Sequence, residues 1–481
     1  MKVLLIYLTP PAAVWPQGRF LSHWVPSGVA QIATQLRAAG HAVRVIVRDE
    51  QLARLGFDWA AANRRLVEQL EAFRPDVVGL SVVTPAMSEC RTISGMIKAT
   101  GGPDVRVVAG GPHPTALPEQ TLDECPDVDL AAIGEGEATL VELAGGAPPE
   151  TIAGLAFRRD GGVVRTAPRR PQRDLDAFEP LAYDLFDMDH YTAPTPWMIR
   201  WRTYRAMNLR TSRGCPGRCR FCAGHVTAGV GVRFRAIDAV LERIRWAVDT
   251  YGVEAILFED DTLGANADRL RALCDGLRRE GLDKRIVWSG CLRVEQAEPD
   301  LLKTMRDAGC IQIEYGFESG SDRMLRAMSK NASVELNRRA VRLTREVGIR
   351  IFGDVLVGLP GETTEDFDAT VAFVRWARVD VLGVAMLYPL PGTPIYDDLT
   401  DAQKRLAHWD GYAYPQRPGF LVNLTAMDDA TYTRRYERFM RYLVRPAIDR
   451  QVLRDSPTAD LRRRVRRFAR RHPIRATRLP L

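Results

Sequence analysis

Three cysteines stand close enough in the chain to do chemistry as a set. Cys215, Cys219 and Cys222 lie in TSRGCPGRCRFCAGH, residues 211–225, at the spacing C-x3-C-x2-C, with Phe221 directly before the third. Three thiolates on one short loop can hold three irons of a cubane iron–sulfur cluster and leave the fourth iron without a protein ligand. That iron is then open to a small bidentate ligand. The competing reading is zinc, which as a structural ion wants four closed ligands. His225, three residues on, would supply the fourth.

Other residues have chemistry to offer only where secondary structure brings them to one place. EAILFEDD (254–261) reads as a strand ending in Glu259, Asp260 and Asp261. The turns Gly110-Gly111-Pro112 and Gly134-Glu135-Gly136-Glu137 follow apolar runs, and glycines there let the backbone approach a ligand or simply close a tight turn.

The elements that must position these residues alternate. Apolar runs at 2–8, 42–49, 75–84, 105–111 and 128–137 read as strands, with helical spacing between them at 29–41, 58–73 and 89–100. This predicts an α/β fold, with a doubly wound, Rossmann-like parallel sheet over residues 1–150. Ligands of such sheets lie beyond the carboxyl ends of the strands, on the loops 9–28, 81–86, 110–115 and 134–137. Residues 151–200 read as a hairpin around RRDGG and an extended linker. Strands and helices alternate again over 201–400, which predicts a partial or full βα barrel with its site at the carboxyl ends of its strands. Residues 401–481 predict a helical, basic extension.

The chain has 481 residues and +7 net charge, with an ordinary soluble composition of 46% hydrophobic and 26% charged residues. The charge is local. Residues 434–481 hold 16 Arg against 4 acidic residues, or +12, so the first 433 carry −5. No nucleic-acid groove is expected in the body. The segment LRRRVRRFARRHP (461–473) suits peripheral contact with an anionic membrane, or a solvated tail. No signal peptide and no run of 18 apolar residues is found, and five of the eight cysteines are scattered, so a cytoplasmic protein is expected.

PDVVGLSVVTP, VVAGGPHPT and VDLAAIGEGEATL together resemble the cobalamin-binding domain fused to many radical S-adenosylmethionine (SAM) enzymes. The resemblance implies cobalamin on Ser81, Thr84, Gly110, Gly111, His113, Glu135 and Gly136. The pattern D-x-H-x-x-G, whose histidine ligates cobalt in related domains, is absent; His113 lies after the fourth strand, and the lower face of cobalt is expected to lack a protein histidine.

Residues 204–400 resemble the radical SAM superfamily, with motifs in the family's order. The resemblance implies a [4Fe-4S] cluster on Cys215, Cys219 and Cys222. SAM would be held by a carboxylate among Glu259, Asp260 and Asp261, by Ser289 and Arg293, by Glu318 at the ribose, and by Gly358 in the strand along the adenine. Tyr388 and Asp354 are candidates for a proton or substrate contact.

Together these resemblances imply a radical SAM methyltransferase of the cobalamin-dependent class. A 5′-deoxyadenosyl radical activates an unreactive carbon, and the methyl group comes from methylcobalamin. The substrate is expected to be a small molecule, a natural product or a lipid such as a polycyclic terpenoid. Trp15, Trp24, Trp409 and Tyr412 point to an apolar or ring-containing molecule, and a flavodoxin or ferredoxin would supply electrons. An oxidative cyclase or ring-rearranging enzyme shares every motif. A corrinoid sensor or carrier with a structural cluster is the alternative outside catalysis.

Overall fold

The structure is a computed structural model that describes residues 1–10, 24–178, 180–406, 409 and 422–444. Trp15, Tyr412 and the basic segment 461–473 therefore lie outside the described residues.

The first sheet has seven strands: β1 (Lys2–Tyr7), β2 (Ala42–Val47), β3 (Val77–Ser81), β4 (Arg106–Gly110), β5 (Leu130–Ala132), β6 (Leu155–Arg159) and β7 (Gly162–Arg165). Their order is β2-β1-β3-β4-β5-β6-β7. The first five run parallel, and β5–β6 and β6–β7 pair antiparallel. The parallel strands are near-continuous apolar runs because helices cover both faces. Leu4, Ile6, Val78 and Val107 pack one face; Val3, Leu5, Val77 and Val108 pack the other. The hairpin expected in the bridge forms, but as two further strands of this sheet rather than a free connection. Phe157 pairs with Leu130, so it joins an edge that β5 would otherwise leave open.

The second sheet has six parallel strands in sequential order: β8 (Ala206–Leu209), β9 (Ala255–Phe258), β10 (Val287–Leu292), β11 (Cys310–Glu318), β12 (Arg350–Val357) and β13 (Val381–Met386). Six strands curl into a partial barrel. Helices Ile237–Tyr251, Ala267–Arg279, Pro299–Asp307, Val334–Glu346 and Thr364–Ala377 cover its outside. Their apolar stripes meet the outward residues Met207, Ile256, Trp288, Ile313, Tyr315, Ile351 and Val355 in one core. Side chains Asn266, Ser333 and Thr363 accept backbone N–H bonds at the helix starts and fix where each begins.

The strand pairing also identifies the inward face. Partners in a parallel pair point the same way, so Asn208, Leu257 and Ser289 share a side, as do Cys291 with Glu314, Gly316 with Asp354, and Asp354 with Gly383. A bulge at Ser289 puts Ile311 and Gln312 together against β10. The floor is apolar: Met198 and Ile199, from the hairpin strand Thr195–Ile199, cluster with Leu257, Val287 and Ile311.

Candidate active site

The cysteine loop leaves β8 and returns through a two-stranded ribbon in which Ser212 pairs with Phe234 and Arg213 with Arg233. Gly214 sits at φ +94, and any Cβ there would strike Gly231 O. The loop therefore needs glycine at the residue before Cys215. Phe221 packs its ring with Met324, Met328 and Leu359, which anchors the far end.

Donors surround the sulfurs. Gly217 N points at Cys215 Sγ and Gly224 N at Cys222 Sγ, both at 3.4 Å, and Arg293 Nη1 lies 4.0 Å from Cys219 Sγ. Such donors suit thiolates that share a charged cluster. Among the described residues, no three His, Cys, Asp or Glu side chains converge on a single metal ion. The donor set fits the cluster.

The acidic triplet divides. Asp260 is buried and accepts from Thr211 N at 3.2 Å, from Thr211 Oγ1 at 2.9 Å and from Ser212 Oγ. Asp261 accepts from Gly214 N at 3.1 Å. Both hold the base of the cysteine loop. Asp260 has its oxygens committed there, so it is not a free partner for an ammonium group. Glu259 turns to another space: it accepts from Asn208 Nδ2 at 2.9 Å and lines the cavity between the two domains. Burial raises the pKa of both Glu259 and Asp260.

The remaining expected SAM contacts cluster around Arg293. Its Nη2 donates to Lys330 O at 2.8 Å, and Lys330 Nζ donates to Glu318 Oε1 at 2.7 Å, with both of these side chains 9% exposed. Glu318 stands at φ +60, a conformation L residues seldom hold, which marks it as fixed by its surroundings. Any Cβ on Gly316 would meet the Glu318 carboxylate, so glycine makes room for the pair. Ser289 is buried on the inward face. Gly358, at φ +83, donates to Glu362 Oε2 at 2.8 Å, and a Cβ on it would come within 2.7 Å of Tyr432 Oη. The turn and the packing account for that glycine.

A cavity of about 460 Å³ opens between the domains. Ser81, Gly110, Gly111, Gly134, Glu135, Gly136 and Glu137 line one side, and Arg210, Ser212, Arg213, Thr227 and Ala228 line the other. A slot runs deeper between Leu5, Gly79, Val108, Ile32 and Leu140. A Cβ on Gly79 would stand 2.8 Å from Leu5 Cδ2, so the slot exists because β3 carries glycine at its centre. A corrin between the domains and an apolar base in the slot fit these walls. Gly111 serves differently: at φ +112 its Cβ would be 2.7 Å from Val82 O, so it lets two strand ends approach.

His113 and Thr84 do not reach this cavity. His113 is buried on the short helix Pro112–Ala116, 3.2 Å from Thr84 Oγ1 through Nδ1, with its ring edge-on to Trp409. Burial lowers its pKa to about 4 and keeps it neutral. Both expected cofactor contacts are corrected: His113 and Thr84 are packing residues, turned from the corrin space by the helix that follows Gly111. No histidine lines the cavity among the described residues. Trp409 likewise packs on the first domain, with Nε1 donating to Glu124 Oε2 at 2.8 Å. Tyr388 packs against the core of the first sheet, and burial raises its pKa, whereas Asp354 faces the barrel interior. The two do not form one catalytic pair.

Sequence reasoning missed Gly79, Lys330, Glu314 and Arg213. A lone glycine inside a strand was the signal for Gly79. The others had none, because their partners are distant in the chain.

The comparisons agree with this architecture. The B12 binding domain matches residues 18–144 and the Radical SAM superfamily residues 209–374. "Uncharacterized methyltransferase PH0819" of Pyrococcus horikoshii is 31% identical over 403 residues, which span 82% of this chain and 83% of that protein. The anaerobic magnesium-protoporphyrin IX monomethyl ester cyclase of Cereibacter sphaeroides is 28% identical, over 79% of this chain and 61% of the relative. The radical SAM methyltransferase TsrM of Kitasatospora setae, solved with cobalamin and a [4Fe-4S] cluster, shares the fold at TM-score 0.64 and 20% identity, over 84% of this chain and 75% of TsrM. The chain therefore belongs to the family of B12-binding radical SAM proteins that includes PH0819.

Proposed function

We propose that this protein is a cobalamin-dependent radical SAM methyltransferase that methylates an unactivated carbon of a small molecule. One observation carries the reading. Residues on either side of the cysteine loop, Ser212 and Arg213 before it and Thr227 and Ala228 after it, line the same cavity as Gly79 and the Gly134–Glu137 turn. When bound, the cluster with SAM supplies a carbon-centred radical and the corrinoid supplies a transferable methyl group.

The chain's own residues position and shield. Cys215, Cys219 and Cys222 would hold the cluster, with the positive charge of Arg293 and Lys330 near the loop. Glu259, Ser289, Arg293 and Glu318 would orient SAM. The floor of Met198, Ile199, Val287 and Ile311 closes the barrel below, so water does not enter the lumen through it. A flavodoxin or ferredoxin would deliver the electrons, and the basic tail would supply any membrane contact.

Among the described residues no helix is long and apolar enough to cross a membrane. A cyclase reading draws on the shared motifs and on cyclase relatives such as that of Cereibacter sphaeroides. Cells expressing the protein and fed methyl-labelled methionine test the choice. A product gaining one labelled methyl, absent with Cys219→Ala, supports methylation. A product that loses hydrogen without gaining the label would establish the cyclase.

A further inference from the structure

The barrel lumen holds a set of acceptors that the reaction as described does not use. Gln312 is 1% exposed, and its Oε1 is buried with no hydrogen-bond partner. Its pairing with Ser289 places it on the inward face, two residues below Glu314. Asp354, on the next strand, shares that face, two residues beyond Phe352, the register partner of Glu314. Its neighbours on the flanking strands are both glycine, Gly316 and Gly383. Any Cβ on Gly383 would collide with Asp354 Oδ1, so the carboxyl lies over a hollow that the glycines leave.

Glu314 and Asp354 thus bring two acidic side chains to one inward face of adjacent strands. Burial first, and then Glu314, push the Asp354 carboxyl well above the usual range. Among the described residues neither carboxylate forms an ion pair. Arg200 is near enough to act on Asp354, yet it donates to Trp197 O at 2.9 Å and lies over the rings of Trp24 and Phe352. Arg350, at the floor, donates to Arg200 O at 3.2 Å. Arg210 stands at the mouth beside Glu259. The middle layer is thus rich in acceptors, anionic and short of donors. A buried acceptor without a partner is destabilising, and a donor arriving with a ligand would relieve it.

We propose that the substrate carries a positively charged, N–H-bearing group, a protonated amine or amidine-type nitrogen, and that Gln312, Glu314 and Asp354 hold it in the lumen. The inference rests on the proposed methyl transfer for treating the lumen as the substrate site. It selects a polar nitrogenous substrate over a terpenoid lipid, because a hydrocarbon would leave the buried Gln312 Oε1 without a donor and the two acidic side chains without a cation.

Ligand-observed NMR on the reconstituted protein, with cluster, cobalamin and SAM bound, tests it with benzylamine against benzyl alcohol and toluene. The expected result is saturable binding of benzylamine at least tenfold tighter than of either neutral probe. Glu314→Gln combined with Asp354→Asn should remove that tenfold preference, and Gln312→Leu should weaken benzylamine while leaving toluene unchanged. Intact corrinoid absorbance checks that the variants are folded, and Gln312→Glu, which keeps an acceptor, should retain the preference. Equal binding of the three probes, no binding of benzylamine, or a preference that survives the double variant would overturn the proposal. If 5′-deoxyadenosine still forms in a wild-type protein indifferent to benzylamine, the amine assignment alone has failed. If no 5′-deoxyadenosine forms while benzylamine binds, the reaction reading has failed and the lumen assignment stands.

Discussion

Arg213 donates to Glu137 Oε1 at 2.6 Å across 76 residues of chain. The same guanidinium donates to Glu135 Oε1 at 2.9 Å, and Arg233, its partner in the ribbon, donates to both oxygens of Glu135. The loop that would carry the cluster and the turn that faces the corrin are therefore one ionic unit. Burial would raise the Glu135 carboxyl, but Arg233 and Arg213 together hold it below the usual carboxylate range. The side chains of Arg213 and Glu137 are 15% and 8% exposed.

Removing Arg213 takes the ion-pair partner from the buried Glu137 and leaves Glu135 to Arg233. Arg213→Ala is expected to destabilise the protein by about 3 kcal/mol, toward the low end for a broken buried pair. It should also weaken hydroxocobalamin binding several-fold, read by absorbance titration, because the Gly134–Glu137 turn loses its brace. Unchanged affinity would show that the turn is held without the staple.

Cys219→Ala removes one of three thiolates and the sulfur that faces Arg293. It is expected to abolish 5′-deoxyadenosine formation under a reductant while the corrinoid absorbance persists. Loss of both signals together would show that the two sheets do not hold their cofactors independently.

The slot at Gly79 is filled by adding a side chain. Gly79→Val should lower cobalamin affinity at least tenfold, about 1.4 kcal/mol. Binding of cobinamide, which lacks the nucleotide base, should change much less. Equal losses for the two corrinoids would place the base elsewhere.

Glu362 makes a pH-dependent prediction. It is buried, and burial raises its pKa to about 7, against the bonds from Gly358 and Leu359 N–H groups that favour its charge. A folded-state pKa above the unfolded value of 4.5 means that the native state binds more protons. Its stabilising contribution is therefore complete below pH 4.5 and is lost as pH rises through 7. Glu362→Gln keeps an acceptor for Gly358 N and cannot ionise. The Tm advantage of the variant over the wild type should grow from pH 5 to pH 8, by up to about 3 kcal/mol of stability. A difference that is flat with pH would mean that Glu362 is not the titrating group.

The sequence by itself determined the elements and the local signatures. The apolar runs of β1 to β5 and β8 to β13, and the caps at Asn266, Ser333 and Thr363, depend on neighbours a few residues away. So does the cysteine spacing, because one loop sets it. Even here the sequence misassigned His113, since a histidine after a glycine turn reads the same whether it faces a ligand or a core.

Tertiary structure decided which side chains meet. Asp260 and Asp261 are adjacent and identical, yet one is spent on Thr211 and Ser212 and the other on Gly214. Register put Glu314, opposite Phe352, on the same face as Asp354, opposite Gly316, with Gln312 beneath them. The hairpin at 155–165 joined the first sheet because β5 offered an unpaired edge. The physical reason is common to all three. Pairings across a sheet or a domain seam depend on burial and on the geometry of strands far apart in the chain. A composition or a local period carries no record of either.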